Sequence, residues 1–514
     1  MQKKKVGSVE YHEAGEEYFA KRQLRRHARV WSLWALGVGA VISGHFSGWN
    51  FGIGVGGWGG LFFAAIIIGI MYVCLCFCLA EMSPALPHTG GAYSFARSAM
   101  GPWGGFVTGL AENIEYILTP AVIVFFIGAY LGSIFETAES MQPLWWIGMY
   151  VIFVGLNLRG VELSFKVSVI VTLLALGVLS IFWISAIFSG QVDFSRWALN
   201  IGVGSDGALV ELPEGGGPFL PLGIKGILAA LPFAVWLFLA IEQLPLAAEE
   251  SHDPKRDMPK GLILGIATLV FSAFMISVLN ASIPVQAADG SASGAFYLGG
   301  SGEPLLDGFR ALYGTEAAKI LSLCAVIGLI ASFHTIIFAF GRQVYSLSRA
   351  GYLPHWLSVT HGTHKVPHVA LIAGAVLGFV VMMAVYLIKG ENAGAFIGAQ
   401  LLNMAVFGAM ISYAFQGLSF ILLRKNLPNI ERPYRNPLGV ASGYLTILIA
   451  LVTLFMQFQD PAYRGGVIGV AIWYAAGVIY FAAYGRKTLV YSPEEDFAVK
   501  AREKAGIDKL EAVK

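Results

Sequence analysis

Apolar segments recur along almost the whole chain, and most are about 17 to 28 residues long. A helix of about 20 apolar residues crosses the hydrocarbon core of a bilayer, which is roughly 30 Å thick. The pattern therefore predicts an all-α membrane protein with twelve transmembrane helices. The predicted spans cover residues 31–54, 58–82, 104–134, 143–158, 167–189, 226–248, 262–284, 318–341, 367–388, 396–422, 441–458 and 466–485.

Composition supports this interpretation. The chain has 514 residues, of which 56% are hydrophobic and 13% are charged, with a mean hydropathy of +0.67. A typical soluble domain carries about 25% charged residues, so a water-soluble enzyme of ordinary construction is excluded. The net charge of +2 gives no reason to expect a nucleic-acid partner. The expected domains are a polar tail (1–30), the twelve-helix domain (31–485) and a second polar, helix-prone tail (486–514).

The distribution of basic residues predicts the orientation of the spans. With twelve spans, 28 of the 34 Lys and Arg residues fall on the side that carries both tails. Cytosolic loops of membrane proteins carry an excess of Lys and Arg. We therefore expect both termini to be cytosolic.

Motifs for enzymes and metal sites do not fit the pattern. Cys74, Cys76 and Cys78 lie in one apolar span, where Cys76 points roughly 160° away from the other two. We interpret them as buried apolar side chains and predict no metal site. No nucleophile elbow or metalloprotease motif accompanies the spans, so no catalytic residue is expected.

Two spans contain residues that disfavour a continuous helix. The first has Gly and Ser clustered at mid-depth, from Val41 and Ile42 through Ser43, Gly44 and His45 to Asn50. The sixth has two prolines that bracket an acid. It contains Phe233, Trp236 and Glu242. Paired, interrupted spans in corresponding places of two repeats indicate a transporter site. The alternative is close helix packing through small residues.

Three acidic residues lie inside predicted spans, namely Glu112, Glu115 and Glu242. Placing a carboxylate at mid-bilayer costs about 2.5–3.5 kcal/mol on insertion scales. None of the three has a cationic residue in an adjacent turn, which favours a substrate ammonium or a proton as the partner. The alternative is a neutral, hydrogen-bonded acid in the core. Trp236 is a candidate for a cation–π contact or for ordinary packing.

Five segments at the tail-side ends of the spans resemble the amino acid–polyamine–organocation transporter family. They are AEMSPALPHTGGAY (80–93), NLRGV (157–161), EESHDPKRDMP (249–259), SRAGYLP (348–354) and RPYRNP (432–437). Within that family the chain is most similar to the ethanolamine permeases, in residues 43–52, 111–122 and 236–242. The resemblance implies a leucine-transporter-like fold. Its five-plus-five inverted repeat would occupy about 31–189 and 226–422, with peripheral helices in 441–485.

The resemblance also implies import of ethanolamine across a bacterial inner membrane, with the amine between helices 1 and 6 and an aromatic gate at Trp236. Ethanolamine has an ammonium group but no carboxylate, so an extra acid such as Glu115 suits it. Backbone carbonyls of Val41, Ile42, Phe233 and Trp236 are expected to accept ammonium protons. Ser43 or His45 would meet the hydroxyl.

Two positions depart from the family pattern. Ala175 stands where sodium-independent relatives often have a lysine, so proton coupling, sodium coupling and facilitated transport all remain open. Ala240 replaces the helix 6 glycine. No cofactor is expected, and oligomeric state and substrate breadth stay undetermined. The rival functions are an amino-acid or polyamine permease and a non-transporting sensor on the same scaffold.

Overall fold

Long apolar helices dominate the computed structural model of the chain. It describes residues 3–86, 90–213, 215–390, 400–459, 464–504, 506 and 510–513. Residues 87–89 of the first family-like segment and 396–399 of the tenth predicted span lie outside the described residues.

The helices are as follows. They are α1 (Glu16–Ala20), α2 (Val30–Val41), α3 (Ser43–Phe46), α4 (Phe51–Ala85), α5 (Gly91–Met100), α6 (Pro102–Phe135), α7 (Gln142–Leu158), α8 (Val161–Phe188), α9 (Gly223–Val235), α10 (Pro254–Asn280), α11 (Gly294–Gly300), α12 (Pro304–Tyr313), α13 (Thr315–Arg349), α14 (His368–Lys389), α15 (Leu402–Asn426), α16 (Val440–Gln459), α17 (Arg464–Ala483) and α18 (Pro493–Lys504). Short 3₁₀ segments cover Glu139–Met141, Phe194–Ala198, Ile241–Glu250, His355–Ser358 and Gly485–Lys487.

Ten helices in the described part of the chain are long and apolar enough to cross a membrane. The first and sixth predicted spans instead contain the shorter apolar helices α2 and α9. Helix α4 includes the end of the first predicted span and all of the second. Gly57, with φ +74°, interrupts it where the sequence predicted a boundary between spans. A positive φ is readily adopted only by glycine.

Burial separates the central helices from the peripheral ones. In the most apolar 18-residue stretch of each span, 72% of the residues are buried in α6, 22% in α7 and in α14, and 17% in α17. A helix that is apolar all round and faces other helices belongs to the interior. Helix α6, which carries Glu112 and Glu115, therefore lies in the middle of the bundle.

The two tails fold together into a small sheet, which the sequence analysis did not predict. Strands β1 (Lys3–Val6) and β2 (Val9–His12) pair antiparallel, and β5 (Leu489–Val490) and β6 (Leu510–Val513) complete the order β5-β2-β1-β6. A second sheet pairs β3 (Gly202–Val203) with β4 (Leu209–Val210). The all-α expectation is therefore wrong for the tails and for one loop. The tail sheet brings the two tails together at one end of the bundle, which we call the tail side.

A buried ion pair fastens the second tail to the bundle. Glu495 of α18 accepts hydrogen bonds from Arg97 of α5 and from Tyr11 of β2, and both charged side chains are 1% exposed. Tyr352 also donates to Glu495, at 3.4 Å. Such a pair orders the tail only while both charges are present.

Glu495→Gln is expected to lower the free energy of unfolding by about 3–5 kcal/mol, because it leaves a buried guanidinium without its counter-charge. The double variant Arg97→Met/Glu495→Leu is expected to recover most of that loss. Thermal unfolding in detergent checks both. Glu162→Gln removes an exposed pair with Lys166 and serves as the control, with an expected change below about 0.5 kcal/mol. An equal effect of Glu162→Gln and Glu495→Gln would contradict the assignment.

Ion pairs also anchor the family-like segments on the tail side, either to one another or to a neighbouring helix. Glu250 pairs with Arg342 at 2.8 Å, with both side chains fully buried, and Glu249 pairs with Arg349 at 2.5 Å. Glu81 accepts hydrogen bonds from Arg424 at 2.6 and 2.8 Å. The recurring charges of these segments therefore hold helix ends together.

Candidate binding site between the two broken helices

The first predicted span is interrupted twice. Helix α2 ends at Val41, α3 covers one turn, and α4 begins at Phe51. Between α3 and α4, Ser47 is extended (φ −161°, ψ 158°) and Gly48 has φ +95°. The helix therefore unwinds at the cluster of Gly and Ser residues, which frees backbone groups for other partners.

The sixth predicted span is interrupted in the same way. Helix α9 ends at Val235, residues 236–240 form turns, and the chain continues as the 3₁₀ segment Ile241–Glu250. Ala240 adopts the left-handed conformation at φ +83° and is fully buried. Unwinding thus occurs although alanine replaces the glycine expected there.

Ala240→Gly is expected to stabilise the folded protein by about 1 kcal/mol. A residue with a Cβ pays a steric cost of about this size in the left-handed conformation, and glycine does not. The test is the unfolding temperature in detergent, which we expect to rise while uptake is retained. Ala240→Val places a β-branched side chain on the same strained backbone, and we expect it to lower the unfolding temperature. A lower unfolding temperature for Ala240→Gly would contradict the left-handed assignment.

The two interruptions touch each other. The indole Nε1 of Trp236 donates a hydrogen bond to the carbonyl of Ser47 at 3.1 Å. At Gly44, a Cβ would lie 2.1 Å from the carbonyl oxygen of Trp236, so a side chain does not fit there. The close approach of the two backbones depends on glycine at position 44.

His45 bridges the interruptions to a third helix. Its Nε2 lies 2.9 Å from the carbonyl oxygen of Leu237, and its Nδ1 lies 2.7 Å from Oγ of Ser272 on α10. Both ring nitrogens are thus engaged by the protein. The histidine holds the unwound part of the sixth span in place.

Backbone amides at the first interruption also have protein partners. The amide of Ser43 donates to Oγ of Ser332 at 2.9 Å, and that hydroxyl donates to the carbonyl of Gly39 at 2.7 Å. The amide of Gly48 donates to Oδ1 of Asn50 at 3.2 Å. Val41, Ile42, Ser43 and Phe233 are buried beside these contacts.

The three predicted acids converge next to the interruptions. Glu112, Glu115 and Glu242 are 1%, 0% and 2% exposed. Glu115 and Glu242 lie within interaction distance of each other and of the hydroxyl of Tyr413 on α15. Glu112 faces Gln343 and Ser412. The geometry therefore brings Glu115 and Glu242 together and leaves Glu112 at the edge of the group, which we call the carboxyl cluster.

Tyrosines line the carboxyl cluster, and sequence reasoning missed them. The hydroxyl of Tyr116 donates to Oε1 of Glu242 at 3.5 Å, and the hydroxyls of Tyr72 and Tyr413 are 3.0 Å apart. Tyr116 follows Glu115 directly, which gave a weak signal. Tyr72 and Tyr413 come from spans separated by 341 positions, so no local pattern relates them.

The carboxyl cluster contains acids but no basic side chain to pair with them, as far as the structure describes the chain. Among the described residues, no Lys or Arg forms a salt bridge with Glu112, Glu115 or Glu242. Both carboxyl oxygens of Glu115 and Oε2 of Glu242 are buried without a hydrogen-bond partner in the described ranges. A buried carboxylate is unfavourable unless a proton or a cation neutralises it. The site is chemically suited to a small cation.

Other polar and sulfur-containing side chains of the apolar helices are buried in the core. The ring of His334 is hydrogen-bonded to Asn157 at 3.1 Å and to Ser164 at 3.3 Å in the core. Cys74, Cys76 and Cys78 are free thiols. In the part of the chain that the structure describes, no group of three His, Cys, Asp or Glu side chains is arranged to hold a metal ion.

Comparisons with known proteins indicate a transporter. The family described as "Amino acid permease" matches residues 29–484. An uncharacterized transporter of Rhizobium meliloti (strain 1021) is 27% identical over 83% of this chain and 85% of its own length. Two proteins of Bacillus subtilis (strain 168) are also similar. The methylthioribose transporter is 23% identical over 91% and 95% of the two chains, and the branched-chain amino acid permease BcaP is 22% identical over 91% and 94%.

Proposed function

The chain belongs to the amino acid permease family, and we propose that it imports ethanolamine across a bacterial inner membrane by secondary active transport. Family membership and the candidate membrane spans make it a multi-pass membrane transporter of a small molecule, not an enzyme. The choice of ethanolamine is the proposal. The observation that carries it is the buried carboxyl cluster beside the two interruptions.

Charge favours an amine without a carboxylate of its own. A zwitterionic amino acid would bring a second negative group next to Glu115 and Glu242, and like charges in a buried site are strongly unfavourable. The amides of Ser43 and Gly48, at the first interruption, already donate to Ser332 and Asn50. Ethanolamine has only an ammonium group and a hydroxyl, which fits acceptors better than donors.

The proposed contacts follow from the site. Glu115 and Glu242 would hold the ammonium group, with Glu112 as a further acid at the edge. Carbonyls of Val41, Ile42, Phe233 and Trp236 would accept its other protons, and Ser43 would meet the hydroxyl. Trp236 packs against Gly48 at the interruption and would close over the amine. Since His45 is engaged by Leu237 and Ser272, we assign it a positioning role.

Two alternatives stay in view. The relatives named above include an amino acid permease and a methylthioribose transporter, so an amino-acid or polyamine permease is the second candidate. A sensor on the same scaffold would bind the amine without moving it. For the membrane orientation we propose cytosolic termini, on the basis of the 28 of 34 basic residues on the tail side.

Uptake into proteoliposomes tests the proposal. Labelled ethanolamine should accumulate, and unlabelled ethanolamine should compete with it better than glycine, leucine or putrescine. Runs with a sodium gradient, a pH gradient or neither would identify the coupling ion. Stronger competition by an amino acid would favour the alternative substrate, and binding without uptake would favour a sensor.

A further inference from the structure

A groove of about 360 Å³ opens on the side of the bundle, between α4, α10 and α16. Its lining is almost entirely apolar. The two polar side chains in it are Cys74, a free thiol, and Ser277, whose hydroxyl donates to the carbonyl of Ala273 in its own helix at 2.7 Å. The groove offers nothing that would hold water or a polar solute.

The groove is continuous with the surface that faces the lipid. Its rim residues Ile66, Ile70 and Phe274 are 45%, 48% and 53% exposed, and all three lie on candidate membrane spans. Apolar side chains exposed at this depth contact the hydrocarbon of the bilayer. The groove is therefore an indentation of the lipid-facing surface.

The inner wall of the groove is part of the sixth span's interruption. Phe238 belongs to the turn at 236–240, is 2% exposed, and lines the groove. A Cβ at Gly69 would lie 3.5 Å from Cζ of Phe238, so this ring rests directly on α4.

From Phe238 the contact continues to the carboxyl cluster. The rings of Phe238 and Tyr72 have centroids 5.5 Å apart, and the Tyr72 hydroxyl is 3.0 Å from that of Tyr413. Tyr413 in turn interacts with Glu115 and Glu242. Three aromatic rings, those of Phe238, Tyr72 and Tyr413, thus lead from the lipid-facing groove to the acids.

We propose that this groove binds one acyl chain of a membrane phospholipid, which packs against Phe238 and stabilises the unwound turn of the sixth span. An acyl chain matches the apolar lining and reaches the groove from the bilayer without leaving hydrocarbon. Because the chain is in hydrocarbon before and after it enters the groove, its preference for the groove comes from van der Waals packing against the lining and not from leaving water. The headgroup would remain at the membrane surface.

A second groove provides an internal comparison. It has a volume of about 260 Å³, lies between α7 and α14, and is also lined by apolar side chains such as Ile147 and Phe379. No residue of either interruption lines it. Ala65 and Ala375 are both half-buried and line the first and second groove respectively. Ala65→Trp and Ala375→Trp are therefore matched filling variants.

Photolabelling tests the occupant. The full-length protein is reconstituted with phosphatidylethanolamine and phosphatidylglycerol containing a phospholipid with a diazirine on one acyl chain. After irradiation, adducts are mapped by mass spectrometry. We expect adducts concentrated on residues 66–74 and 270–277, and a drop of about tenfold in Ala65→Trp. Ala375→Trp should leave them unchanged. Two results would overturn the proposal. One is an adduct density on these residues no higher than on the exposed face of α17, and the other is an unchanged adduct density in Ala65→Trp.

Hydrogen–deuterium exchange tests the contact with the turn. In Ala65→Trp the new indole takes the place of the lipid chain and packs against Phe238 itself. Protection of the backbone amides of residues 236–240 from exchange should then no longer depend on the length of the lipid acyl chains. In the unmodified protein the protection of these amides should change when the lipid acyl chains are shortened. If protection does not depend on chain length in either, the link to the turn is wrong. Leu445→Trp, from the opposite wall, replaces Ala65→Trp should the latter not fold. Neither measurement involves transport. The lipid proposal can therefore be tested even if ethanolamine is not the substrate.

Discussion

Glu115→Gln is expected to lower kcat/KM for ethanolamine uptake by at least about 100-fold. In the proposed complex Glu115 pairs with the ammonium group of ethanolamine. Removing one partner of a buried charge pair costs about 3–5 kcal/mol, which corresponds to a factor of about 150 to a few thousand. Glu115 is fully buried, lies beside Glu242, and forms no salt bridge with a Lys or Arg among the described residues. Gln keeps the shape of the side chain but cannot neutralise an ammonium group.

The measurement is initial uptake of labelled ethanolamine by proteoliposomes over a range of concentrations. Glu112→Gln is the matched variant on the same helix. Its carboxyl faces Gln343 and Ser412 at the edge of the cluster, so we expect a smaller loss. Glu162→Gln, on the exposed start of α8, should have no effect. Unchanged uptake and unchanged apparent affinity for ethanolamine in Glu115→Gln would contradict the proposed role of this acid.

The acids and the interruptions were accessible to sequence reasoning because each breaks a rule of the membrane interior. Glu115 and Glu242 have no neighbouring cation, and a buried carboxylate requires some partner. Gly and Ser around Gly44, and Pro232 before Trp236, weaken a helix locally. Such signals are local, and the structure shows both interruptions where they occur.

The residues that sequence reasoning missed depend on tertiary contacts. Tyr72 and Tyr413 meet only because α4 and α15 pack together, and a tyrosine in an apolar span is ordinary when taken alone. His45 was expected at the substrate hydroxyl, but its bonds to Leu237 and Ser272 come from two other spans. No spacing within the chain encodes these partners.

The tail sheet was missed for a related reason. Strands of two to four residues carry little periodicity, and Lys3, Lys4 and Lys5 make β1 look like a charged tail. The strand is stabilised by pairing with residues near the other end of the chain and by burial of Val6, Val9 and Tyr11. Pairing between ends so far apart cannot be inferred from local pattern.

Gly44→Ala is expected to abolish measurable uptake, because the new methyl group would occupy the space of a backbone carbonyl. Its Cβ would lie 2.1 Å from the oxygen and 3.0 Å from the carbon of the Trp236 carbonyl. Backbone atoms cannot rotate away as a side chain can, so the two interruptions would have to separate. Overpacking of this kind costs about 1–3 kcal/mol or more, and here the strain falls directly on the binding site.

Gly177→Ala is the matched control for this experiment. Gly177 lies on α8, and a Cβ there has no atom within 4 Å, so the same chemical change adds no contact. We expect normal uptake in Gly177→Ala, and for Gly44→Ala a lower unfolding temperature together with the lost uptake. Normal uptake in Gly44→Ala would mean that the two interruptions do not need to touch. The site would then have to be built from the acids alone.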